Sequence, residues 1–146
     1  MDGCVFCELM ATGEAKWVAR EPQAVAFLPL PEGSLAPGHT LVVPTTHSVG
    51  VLDAAADDLA ETISLVQRVS RAMVQGLGAG GVVVLNASGR DSGQSVEHLH
   101  FHVVPCWDDD EATFWPSDRS AHRVDGPVHE VIANALAQKR HFGCPR

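Results

Sequence analysis

The sequence predicts a fold of mixed α and β elements, a sheet of short strands with one long helix laid over it. Three observations carry that expectation. Apolar residues gather in five short runs bounded by proline, glycine and polar clusters; one much longer segment repeats its apolar positions at helical spacing; and no internal repeat or linker divides the chain. All 146 residues therefore read as a single domain, with the informative part at about 4–105 and a C-terminal extension over 106–146.

The elements follow in order. Cys4-Val5-Phe6-Cys7-Glu8-Leu9-Met10-Ala11-Thr12-Gly13 reads as a short helix stopped by its glycine. Two extended runs, Lys16 to Arg20 and Ala24 to Leu28, flank Glu21-Pro22-Gln23 and predict a hairpin. The stretch from Leu28 to Gly38 holds three prolines and two glycines and reads as a loop, leading into a strand His39-Thr40-Leu41-Val42-Val43-Pro44 that the last proline closes. From Asp57 the apolar residues Leu59, Ile63, Val66, Met73, Val74 and Leu77 recur at three, four and seven, the pattern of an amphipathic helix. Asp53, Asp57 and Asp58 supply caps or favourable charge at its start, and Gly76 and Gly78 end it. Gly81 to Asn86 reads as a buried strand, Ala87 to Gly93 as a loop, and Ser95 to Pro105 as a further strand. Asp108-Asp109-Asp110-Glu111 reads as a solvated loop, and His129 to Ala137 as a closing helix.

Composition narrows the function. Hydrophobic residues make up 45% and charged residues 19%, and the longest apolar run is far short of a membrane span. A formal net charge of -8 argues against affinity for a nucleic-acid backbone, which needs clustered Lys and Arg, so any phosphate must be met locally. The first residues carry neither the basic nor the apolar region of a secretory leader. Four cysteines, Cys4 and Cys7 as a pair and Cys106 and Cys144 apart, suit a reducing compartment, and a cytoplasmic location is expected.

The chemistry concentrates in Glu97-His98-Leu99-His100-Phe101-His102. Side chains of a strand alternate faces, so the three histidines line one surface while Leu99, Phe101 and Val103 enter the other. Imidazoles on one face are natural zinc ligands, yet successive residues on one side of a strand stand roughly 6.6 Å apart, too far to converge on one ion. The alternative is a nucleophile: imidazole is largely neutral at pH 7 and has a free lone pair once its other nitrogen finds an acceptor for its proton. Gly93 would allow close backbone approach, and Gln94 and Ser95 could hydrogen-bond phosphate oxygens. Cys4-x-x-Cys7 taken alone fits half a zinc site, a redox pair or two small buried residues at a helix start.

Gly93-Gln94-Ser95-Val96-Glu97-His98-Leu99-His100-Phe101-His102-Val103-Val104-Pro105 closely resembles the signature of the histidine triad family. Ala36-Pro37-Gly38-His39-Thr40-Leu41-Val42-Val43-Pro44-Thr45-Thr46-His47 is similar to that family's other landmark, a proline-glycine-histidine strand ending in Pro-x-x-His. The resemblance implies an α+β fold with an antiparallel sheet of about five strands, one long helix and a C-terminal helix. It also implies a homodimer and a covalent nucleotidyl-histidine intermediate, at His100 here, that water later hydrolyses. On the same basis His102 would contact the phosphate, Gln94 and Ser95 would hold its oxygens or the leaving group, and His98 would orient His100 through its backbone carbonyl. No catalytic metal is required, and a purine nucleotide is the expected substrate.

The expected reaction is hydrolysis of nucleoside phosphoramidates or dinucleoside polyphosphates. The rivals are a binding or scaffold protein of little turnover, and a nucleotidyl transferase or phosphorylase. A group of bacterial members binds zinc through a pair like Cys4 and Cys7 with the counterparts of His47 and His98, which implies a structural zinc site here. Two departures stand out. The family's ribose-binding aspartate is replaced by Pro29 in Phe27-Leu28-Pro29-Leu30, and Asn86 stands eight residues before Gln94 where many members have an asparagine seven before. His39 reads as a structural hydrogen-bonder, and His122, His129 and His141 as solvent-facing. Phe114-Trp115-Pro116 is expected to pack on a partner subunit rather than to fold over the nucleotide.

Overall fold

The structure, a computed structural model, describes residues 3–138. Cys144 and His141 lie outside the described residues. The chain forms two compact units, one running through Phe114 and one from Trp115. In the first, the order is α1 (Val5–Thr12), β1 (Trp17–Arg20), β2 (Ala24–Phe27), β3 (Thr40–Pro44), α2 (Ala56–Leu77), β4 (Gly81–Leu85) and β5 (Phe101–Cys106). The second carries α3 (Val128–Gln138), the expected closing helix, whose Val131, Ile132 and Leu136 are exposed. Among the described residues no helix is long and apolar enough to cross a membrane.

All strand pairings are antiparallel, in the order β1-β2-β3-β5-β4. The β1–β2 hairpin closes through Glu21 N–H to the Ala24 carbonyl at 3.0 Å. Because β3 and β4 are separated by β5, the chain must cross a face of the sheet between them, and α2 makes that crossing. Its Leu65, Val66, Val69 and Met73 pack on Ala24, Ala26, Val42, Leu99, Phe101 and Val103. The opposite face holds a second cluster, in which Cys4 and Phe6 at the start of α1 meet Val25, Phe27, Leu41 and Val43. Alternation along β3 decides the allocation: Val42 turns to α2, Leu41 and Val43 to α1.

Three details depart from the sequence reading. Asp53 caps no helix; its carboxylate accepts from Val49 N–H at 3.0 Å and Gly50 N–H at 2.8 Å, and α2 starts three residues later at an Ala55 cap without a side-chain bond. The backbone bonds hold the Asp53 carboxyl below its ordinary value against the opposing effect of burial. Gly76 lies inside α2, and Gly78 alone ends it in the left-handed conformation. The last strand begins at Phe101 rather than Ser95, because the preceding segment bonds to a loop instead of a ladder: Leu99 N–H donates to the Ser48 carbonyl at 2.8 Å. The alternation survives, since Leu99 and Phe101 still face α2.

Candidate active site and metal centre

The face opposite α2 carries His98, His100 and His102, and the structure gives each a different environment. Phe6 sits beneath the first two, edge-on to His98 at 5.9 Å and to His100 at 5.3 Å between ring centroids. The ring of His102 stands 5.1 Å from that of His100.

His98 is fully buried. Its Nε2 lies 2.9 Å from the Pro44 carbonyl, which can only accept, so Nε2 carries the proton and the Nδ1 lone pair is free. That lone pair faces the Cys4 and Cys7 sulfurs at 3.4 and 3.5 Å, and His47 Nδ1 is 3.5 Å from Cys7 Sγ. The four ligand atoms lie within 4.8 Å of one another. Ligands at zinc bond lengths and tetrahedral angles stand about 3.3–3.8 Å apart, so this donor set fits a closed Cys2His2 site with little movement. α1 supplies the thiols: Cys4 is its N-cap, accepting from Cys7 N–H at 3.4 Å, and the two-residue gap brings both sulfurs onto the first turn. Burial, with a hydrogen bond and repulsion from Cys4, pushes the Cys7 thiol up, a cost that a bound cation would offset. Burial, opposed by the Pro44 bond, lowers His98, which keeps its ring neutral as a ligand must be.

His100 has the opposite tautomer. Its Nδ1 is 2.7 Å from the His98 carbonyl, so Nδ1 is the donor and Nε2 keeps its lone pair. The residue is 5% exposed. Its own carbonyl accepts from Asn86 Nδ2 at 2.9 Å.

His102 is set by a residue the sequence reading left out of the site. The Leu35 N–H donates to His39 Nδ1 at 3.0 Å, which leaves the proton of a neutral His39 on Nε2. That Nε2 is 3.0 Å from His102 Nδ1, so His102 accepts there and carries its proton on Nε2. Burial first, then the His100 and His39 rings, push His102 down to about 4, and burial lowers His39 too; both are neutral at pH 7. The sequence signal for His39 was its register. It shares a strand face with Leu41, and Leu41 pairs with His102. Only the strand order could reveal that pairing. Gly38 makes the turn possible, with φ +84° and a position where a Cβ would come within 2.6 Å of Leu77 Cδ1.

The loop before the triad is tied rather than open. Gln94 donates to the Val49 carbonyl at 2.6 Å and the Val96 carbonyl at 2.8 Å, and its oxygen accepts from Gly89 N–H at 3.0 Å. Its amide is spent on holding three loop segments together, and contact with a phosphate would require exchanging one of these bonds. Ser95 is exposed, and Gly93 has φ +83° with open space where a side chain would stand. His122 and His129 are exposed, and Trp115 is 77% exposed.

The family model for the HIT domain matches residues 12–108. An uncharacterised HIT-like protein of Saccharolobus solfataricus is 35% identical over 73% of this chain and 76% of its own length. An adenosine 5′-monophosphoramidase of Schizosaccharomyces pombe is 29% identical over 70% of this chain and 73% of its own. Among solved structures, a Zn-bound histidine triad family protein from Mycobacterium smegmatis superposes with a TM-score of 0.71 at 30% identity, over 93% of this chain and 94% of that one. The matched span runs from the end of α1 through β5 and takes in the three alternating histidines, and the fold agrees over nearly the whole chain: this protein belongs to the histidine triad (HIT) family.

Proposed function

We propose that the chain is a nucleotide hydrolase in which His100 Nε2 attacks the phosphorus of a nucleoside phosphoramidate or dinucleoside polyphosphate. The observation that carries this reading is the 2.7 Å bond from His100 Nδ1 to the His98 carbonyl, because it leaves a lone pair on Nε2 and can stabilise the positive ring formed on attack. A bond forms between Nε2 and phosphorus as the bond to the leaving amine or phosphate breaks, and water then displaces the nucleotide and restores His100. The Nε2–H of His102, held outward by His39, donates to a phosphoryl oxygen. Ser95, the Gly93 backbone and the second amide proton of Asn86 are the further donors, and Gln94 keeps that loop in shape. Positioning and charge stabilisation of this kind dominate phosphoryl transfer in general. The fission yeast relative, by its name an adenosine monophosphoramidase, supports a purine phosphoramidate as the first substrate to try.

The same reading gives Cys4, Cys7, His47 and His98 a structural zinc ion, supported by the distances among them and by the Zn-bound mycobacterial neighbour. With four protein ligands and no open position, such an ion braces α1 against the triad strand and takes no part in the chemistry. The chain is further proposed to act as a cytoplasmic homodimer, which sedimentation would check.

The test is incubation of wild type and His100→Ala with adenosine phosphoramidate and with a diadenosine polyphosphate, each with and without inorganic phosphate. Mass spectrometry of the quenched protein should find an adenylyl group on wild type alone. Turnover by His100→Ala at the wild-type rate would sink the mechanism, and release of ADP only when phosphate is present would make the protein a phosphorylase. A second reading, a binding protein of low turnover, draws on Pro29, which has no side-chain acceptor for ribose hydroxyls. Tight nucleotide binding without turnover of either substrate would favour it.

A further inference from the structure

Asn86 holds the backbone of His100, yet Asn86 is itself exposed, so packing does not hold it. The ladder between β4 and β5 ends with Leu85 opposite His102, and beyond it the carbonyl of His100 has the Asn86 amide as its partner. The His100 carbonyl can only accept and so takes the Nδ2 end of the amide, but an exposed amide held by that one bond still samples several rotamers. In this chain the other end of the amide is held by Ser88. Its hydroxyl donates to Asn86 Oδ1 at 2.8 Å, which leaves Nδ2 to face His100, and it accepts from the Val51 N–H at 3.0 Å.

The fit around Ser88 is close. Gly50, in the turn capped by Asp53, lies so near that a Cβ on it would stand 2.6 Å from Ser88 Oγ and 2.7 Å from Ser88 Cβ. That turn is fixed in turn by Asp53 and by Gln94, so Ser88 rests against a rigid neighbour.

We propose that Ser88 is a positioning residue for the nucleophile, acting through Asn86: it locks the asparagine amide so that Nδ2 holds the His100 carbonyl and the second amide proton stays available to the phosphoryl group. The proposal rests on His100 being the nucleophile, and its test has one arm that depends on turnover and one that does not. In the first, Ser88→Ala lowers kcat about three- to tenfold with KM within about twofold, the size expected for one hydrogen bond. The double variant Asn86→Ala/Ser88→Ala then loses no more than Asn86→Ala alone, as it must if one residue works through the other. Wild-type kcat in Ser88→Ala, or losses that add, would overturn the proposal. In the second arm, NMR of the full-length protein follows the Asn86 side-chain amide protons: one is protected from solvent exchange in the wild type and loses that protection in Ser88→Ala. Equal protection in both proteins, or none in either, would overturn the proposal whether or not either substrate turns over. Absence of turnover in the wild type would refute the hydrolase reading and leave this second arm to decide.

Discussion

Two histidines two residues apart in one segment, His98 and His100, point their lone pairs in opposite chemical directions. His98 is anchored through Nε2 and presents Nδ1 to two thiols, while His100 is anchored through Nδ1 and keeps its lone pair on Nε2. Sequence spacing puts both on one face, but role follows tautomer, and tautomer follows whichever carbonyl the other nitrogen reaches. The His98 end is therefore a place where ligands converge and the chain is pinned. The His100 end, with His39 and His102, is a place where one lone pair and one N–H stand on neighbouring rings. On the proposed reading, one stretch of chain would serve as a brace at one end and a reactive site at the other.

The largest expected effect separates the two ends. His100→Ala should lower kcat by about 10⁴-fold or more while leaving metal content unchanged, since it removes the proposed nucleophile and none of the proposed metal ligands. A loss under tenfold would mean that the reactive end has been misassigned. Next comes His39→Leu, which keeps volume but removes the donor to His102. By analogy with outer-shell partners elsewhere, kcat should fall about 10- to 100-fold with the nucleotidyl intermediate still detectable. An unchanged rate would show that His102 does not need His39 to hold its tautomer.

Cys4→Ala probes the brace. Purified protein should lose its metal and about 5–10 °C of Tm, the equivalent of about 2–3 kcal/mol for a chain of this size, while kcat of the folded fraction stays within about tenfold of wild type. Equal metal content in wild type and variant would remove the zinc proposal. A collapse of kcat with Tm unchanged would instead join the two ends into one functional unit.

The smallest effect is on pH dependence. His39 and His102 are lowered from the ordinary 6.5 by burial, His102 to about 4 with help from its neighbours. Between those values the unfolded chain binds more protons than the folded one, so stability rises with pH there and is lost as pH falls from about 6.5 toward 4. His102→Gln should show a shallower slope across that window in denaturant titrations, and an identical slope would mean that His102 is not held neutral by the fold.

Much of this arrangement was legible in the chain. The three alternating histidines, the Cys4–Cys7 spacing, the hairpin and the long helix each depend on residues close in sequence, where the periods of strand and helix rule. The strand start was misplaced because Ser95 to His100 looks extended and alternates as a strand does, yet the Leu99 N–H bonds to the Ser48 loop and the carbonyls of Val96, His98 and His100 to side chains. Asp53 resembled a helix cap for a similar reason: its type suits a cap, but the amides within reach were those of Val49 and Gly50. His39 escaped because its partner lies 63 residues away, across a strand pairing that no local pattern announces.

What the sequence by itself determined was which side chains share a face: His98, His100 and His102 on one side, Leu99, Phe101 and Val103 on the other, and two thiols on one helical turn. Only the tertiary structure decided what each of those groups is. Pro44 fixes the proton of His98, the His98 carbonyl that of His100, and His39 that of His102, with Asn86 and Ser88 holding the backbone between them. Faces follow from the periodicity of a single strand. Protons follow from the acceptors and donors that the folded chain brings to each ring, and most of these come from segments dozens of residues away.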